Sequence, residues 1–156
     1  MRAYERDICR GALWEAVGGG HVDVMRLLLD HPSTDAAAML MCRDVEDGWT
    51  ALMAAEARGD LDGMRLLLEH PCADAAAMLM HPGNYDRTPL IAAVESGRVD
   101  AMRLLLEHPR ADAAAMMAVR PNRTSGLQGA AAYAAGTRFP GKIGDLVFAL
   151  VSYQMR

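Results

Sequence analysis

Apolar residues recur at helical spacing in three copies of one segment. Leu61, Met64, Leu67 and Leu68 fall on one face of a helix, and the same stripe returns as Val22, Met25, Leu28 and Leu29 and as Val99, Met102, Leu105 and Leu106. Asp23, Asp62 and Asp100 occupy the first turn, where the helix dipole favours an acid. Each is followed three residues on by an arginine (Arg26, Arg65, Arg103), the pattern of a solvated outer face. His-Pro closes every copy, at His31, His70 and His108, because proline disfavours helical geometry in the residue before it. A shorter stripe precedes each of these helices. In the middle copy Thr50 is the expected N-cap, Leu52 and Ala55 the apolar positions and Gly59 the stop. In the third, Thr88 and Pro89 set a cap beside a helix-starting proline.

Spacings of 39 and 38 residues separate the three histidines, a glycine leads each copy (Gly20, Gly59, Gly97), and DAAAM follows from Asp35, Asp74 and Asp112. Gly136 continues the series with a degenerate fourth copy, read as a helix over 126–135, a proline loop and a helix over 143–151 with Ile143, Leu146, Val147 and Leu150 buried. A pair of helices this short cannot bury its apolar stripe alone, so the pairs must stack. The expected fold is all-α, a helical solenoid forming one domain over 1–156, with units near 9–46, 47–84 and 85–122 and a C-terminal cap over 123–153.

The segments TPLIAAVESGRVDAMRLLLEHPRADA (Thr88 to Ala113) and DGWTALMAAEARGDLDGMRLLLEHPCADAAA (Asp47 to Ala77) resemble the ankyrin repeat, and Gly11 to Pro32 fits its two helices without the upstream turn. The resemblance runs from about residue 9 to 153 and is strongest over the first three copies. It departs from the family in unit length, 38 to 39 residues where about 33 is usual, and in the residue at the TPLH histidine position, which is Trp14, Met53 or Ile91. Ala and Met are strong helix formers, so the DAAAM stretches predict an extra helical turn that replaces or shortens the family's extended hairpin.

Composition narrows the function. The 16 basic and 20 acidic residues give a net charge of −4, which argues against a polycationic nucleic-acid binder. A 52% hydrophobic chain with only 5% aromatics must build its core from Ala, Leu and Met. Cys9, Cys42 and Cys72 show no CxxC spacing and read as small structural residues in a reducing setting. The start MRAYERDICR has no apolar run of the kind a signal peptide needs, and no stretch is long enough to span a bilayer. A cytoplasmic or nuclear protein is expected, without membrane attachment.

Motifs that suggest chemistry have plainer readings. His31, His70 and His108 repeat in units whose helices should lie about 8 to 10 Å apart, too far for one metal ion to hold all three, so they read as helix-terminating residues. GTRFPGKI (Gly136 to Ile143) nearly spells a phosphate-binding loop but lacks the final hydroxyl and a preceding strand. No nucleophile is set beside a base at a recognisable spacing, so neither catalysis, metal nor cofactor is expected. The Met-rich stretches at Met39 to Met41, Met78 to Met80 and Met116 to Met117 read as core sealing, with one Met per unit open to solvent.

The resemblance implies protein binding through a concave face and its turn tips. Carried onto this sequence, the turn positions are Asp47, Trp49, Tyr85 and Arg87, and the first-helix positions are Arg58, Glu95 and Ser96. Trp49 is the sharpest of these, because exposed Trp and Arg most often anchor interfaces; the equal alternative is that it packs onto the neighbouring turn. The expected function is that of a monomeric, non-catalytic adaptor or scaffold with a protein partner. The alternative is a structural segment of a longer repeat array; the drifted fourth copy, with Lys142, Gln154 and Arg156, favours an end of the stack and hence the first reading.

Overall fold

The computed structural model describes residues 3–44, 48–83, 87–112 and 115–116, with side chains from residue 11 onward and without that of Glu95. Among the described residues eight helices have set bounds, in order α1 (Ala3–Gly19), α2 (Val22–Asp30), α3 (Ala36–Leu40), α4 (Ala51–Arg58), α5 (Leu61–Glu69), α6 (Ala75–Met80), α7 (Pro89–Glu95) and α8 (Val99–Glu107). The fourth copy and the GTRFPGKI segment lie outside the described residues.

Three helix pairs, α1/α2, α4/α5 and α7/α8, stack in sequence order. First helices α1, α4 and α7 touch one after another, as do second helices α2, α5 and α8. This is the helical solenoid that the repeat demanded. One continuous core runs through it, with Leu13, Met25, Leu52, Met64, Leu67, Met102 and Leu105 at 0–1% exposure. The turns within each pair reverse at Gly20, Gly59 and Gly97, whose φ angles of 69°, 74° and 65° lie in the left-handed region. α1 begins well before the repeat pattern does, because no glycine or proline interrupts AYERDICR.

Buried threonines start α4 and α7. Thr50 Oγ1 accepts the Met53 N–H at 3.5 Å, and Thr88 Oγ1 accepts the Ile91 N–H at 3.4 Å. Thr88→Val keeps the volume and removes the acceptor, so urea denaturation is expected to show a loss of about 1 kcal/mol. Thr88→Ser should recover most of it. The second helices end as the His-Pro pairs require, with extended ψ angles of 128°, 136° and 135° at His31, His70 and His108.

The DAAAM stretches are helical in α3 and α6, and Ala115 and Met116 are helical too. Asp35, Asp74 and Asp112 cap them, each Oδ1 accepting the N–H three residues on at 3.0–3.1 Å. Among the described residues, what remains of the family's extended hairpin is a bridge between Arg43 and Thr50 in the turn before α4. The methionines largely face inward. Met39, Met78 and Met116 are buried and Met41 and Met80 half-buried, so the expected exposed Met in each unit is absent among the described residues. Capped helices of five and six residues bring these side chains down onto the core.

Candidate protein-binding surface

Trp49 and Arg87 occupy the same place in successive units, immediately before the threonine caps of α4 and α7. The turn that carries Trp49 is closed by two hydrogen bonds: Asp44 N–H donates to the Trp49 carbonyl at 2.9 Å, and Trp49 N–H donates to Asp44 Oδ1 at 3.0 Å. In the next turn, Gly83 N–H donates to the Arg87 carbonyl at 2.9 Å. The two side chains meet, with the Arg87 guanidinium carbon 5.3 Å from the Trp49 ring centroid, within cation–π range. Trp49 is therefore half-buried beneath its neighbour and does not stand free in solvent.

A second cation-to-ring contact ties the same turns. Arg43 Nε lies 3.3 Å from His81 Nε2 and its Nη2 lies 3.0 Å from His81 Nδ1. Partial burial, together with the Arg43 charge, lowers the His81 pKa from its ordinary 6.5. The unfolded chain then binds more protons at this residue, so stability must rise with pH through this range. His81's contribution is fully present above pH 6.5 and is lost as pH falls through the lower folded value. Urea midpoints measured between pH 7.5 and 5 should fall more steeply in wild type than in His81→Gln.

The remaining candidates separate. Arg58 and Ser96 are exposed at the C-terminal ends of α4 and α7, about 12 Å along the helix axis from the turns that hold Trp49 and Arg87. Ser96 Oγ donates to the Ala92 carbonyl at 2.8 Å. Asp47 and Tyr85 lie outside the described residues, as does the Glu95 side chain. The first-helix layer thus presents a strip with a cation–aromatic pair at one end and Arg58 and Ser96 at the other.

Several polar contacts were not legible in the sequence. Arg98 Nη2 donates to the Ala57 carbonyl at 2.7 Å, so a residue of the third unit caps the first helix of the second. His31, His70 and His108 each accept, at Nδ1, the backbone N–H two residues on at 3.2 Å. That leaves the proton of the neutral ring on Nε2, and in His70, which is buried, this nitrogen lies 3.3 Å from Asp30 Oδ1 of the preceding unit. Glu56 is buried where Val17 and Val94 stand in the neighbouring units. Cys72, expected to be structural, is exposed: the chain after His-Pro turns outward, and the residue's contribution to the turn is its backbone N–H on His70. Cys42 is half-buried. Among the described residues no three His, Cys, Asp or Glu side chains are gathered as a metal site would need, and no helix is long and apolar enough to cross a membrane.

A family model described as ankyrin repeats in three copies matches residues 13–117, more than half of the chain. The chain belongs to the ankyrin-repeat family. No curated protein matches it by sequence. Among solved structures, an ankyrin-like likeness of fold is found in a chain of the crystal structure of the yeast ribosomal protein Rps3 in complex with its chaperone Yar1. The TM-score is 0.64 at 20% identity, over 85% of this chain and 87% of that one. Ankyrin repeats generally mediate contacts between proteins.

Proposed function

We propose that this ankyrin-repeat domain is a non-catalytic adaptor that holds a protein partner against its first-helix layer and turn tips. The observation that carries the reading is the Trp49–Arg87 pair, an aromatic ring and a guanidinium fixed together across two adjacent turns. Such a pair costs little further side-chain entropy on binding, and Trp and Arg are enriched among the residues that dominate interface energies. Arg58 and Ser96 extend the strip along the first helices, and Glu95, Asp47 and Tyr85 belong to the same helix and turns in sequence. The fold neighbour is a chain from a complex of a ribosomal protein with its chaperone, which supports a protein as the ligand class. A cytoplasmic or nuclear monomer fits this reading.

The test is affinity purification of the full chain, identification of what it retains, and titration of that partner against Trp49→Ala/Arg87→Ala. Binding is expected to weaken by about 30-fold or more. The cation–π contact contributes about 0.5–1 kcal/mol and burial of the half-buried ring about 2 kcal/mol more, so the unfolding midpoint should fall by about 10 °C with the double variant still folded. Undiminished affinity in a folded double variant removes the proposal.

A further inference from the structure

The geometry points to a docking strip along the free edge of α2, fitted to an amphipathic helix of a partner protein. This strip belongs to the second-helix layer and is separate from the Trp49–Arg87 pair. Adjacent second helices enclose two equivalent grooves, of about 600 Å³ between α2 and α5 and about 380 Å³ between α5 and α8. On α2 the first groove is lined by Val22, Arg26 and Asp30, with Asp23 at its rim, and facing them are Asp62, Leu66 and His70. The second repeats this, with Leu61, Arg65 and Glu69 facing Asp100, Leu104 and His108. An apolar residue, a base and an acid at i, i+4 and i+8 therefore oppose an acid, a leucine and a histidine each time.

Among the described residues, the receiving side on α2 exists without its wall. Asp23, Leu27 and His31 are the counterparts of Asp62, Leu66 and His70, and all three are exposed. Leu27 is 69% exposed where Leu66 and Leu104 pack against the core, and Val24 is 46% exposed where Gly63 and Ala101 are buried. His31 is set like His70, its Nδ1 accepting the Ser33 N–H at 3.2 Å, so its Nε2 proton is presented outward. In the next unit Asp30 Oδ1 lies 3.3 Å from the equivalent nitrogen of His70. The strip thus continues an interface this fold already makes twice. Its occupant is a helix running parallel to α2, with an apolar residue for Val24 and Leu27, a base for Asp23 and an acid for His31. Two copies of α2 meeting about a two-fold axis would set identical acid-bearing strips against each other, which fits less well.

A helix-stabilised synthetic peptide of residues 20–33, with Val24 and Leu27 changed to alanine, reproduces the wall that α2 offers to α5. Its binding to the full chain can be followed by fluorescence anisotropy. Saturable binding is expected, weakened at least about tenfold by Leu27→Asp in the protein and likewise by Arg26→Glu in the peptide. Because Leu27 is at the surface, Leu27→Asp should keep the wild-type unfolding midpoint. No binding, or binding indifferent to either change, overturns the assignment. So does self-association of the chain alone, by sedimentation, that Leu27→Asp abolishes, since the occupant is then a second copy.

Discussion

Leu67→Ala is expected to destabilise the domain by about 3 kcal/mol, the middle of the range for a fully buried leucine that leaves a cavity. Leu67 is at 0% exposure on α5, the second helix of the central unit, and α5 packs on α2 on one side and α8 on the other. In a stack, each unit is stabilised chiefly by its neighbours, so damage at the centre weakens two interfaces at once. With a urea dependence of about 1–3 kcal/mol per molar, the midpoint should fall by about 1–3 M. Leu66→Ala, one position away and only half-buried, provides the control and should cost about 1 kcal/mol. Equal losses at the two positions would contradict the placement of the core.

Gly59→Ala is expected to cost about 2.5–5 kcal/mol, through two separable effects. The backbone at Gly59 has φ of 74°, where an L side chain is disfavoured by about 1–2 kcal/mol. A Cβ there would also overlap Arg98 Nη1, expelling the guanidinium that donates to the Ala57 carbonyl. A charge-assisted hydrogen bond of this kind contributes about 1.5–3 kcal/mol. A double-mutant cycle divides the two. In an Arg98→Ala background, Gly59→Ala should retain only the backbone cost, and denaturation curves of the four proteins give the coupling. Additive losses would mean that Arg98 does not depend on the space above Gly59.

What the sequence reveals and what it conceals follow from the range of the interactions. The three helix pairs were legible because their causes are local: MRLLL at helical spacing, the Thr50 and Thr88 caps, the left-handed glycines and the His-Pro stops all lie within a turn of what they control. The added helices were foreseeable from Ala and Met alone, although the aspartates that cap them are an equally local signal. Contacts between units were not legible. Arg98 on Ala57, His70 on Asp30 and Arg43 on His81 join residues about 40 positions apart, and nothing in either neighbourhood singles them out. For the same reason the sequence left open whether Trp49 faces solvent or packs onto the neighbouring turn; its cover is supplied by the following turn.

Helix α6 touches α5 in its own unit and α7 in the next. A brace of that kind straddles the seam where a tandem array would otherwise come apart. Drawn out from its two ends in an optical trap, the polypeptide should therefore lengthen in one large jump spanning both neighbours. Shortening the brace to the usual loop should split that jump into smaller successive ones.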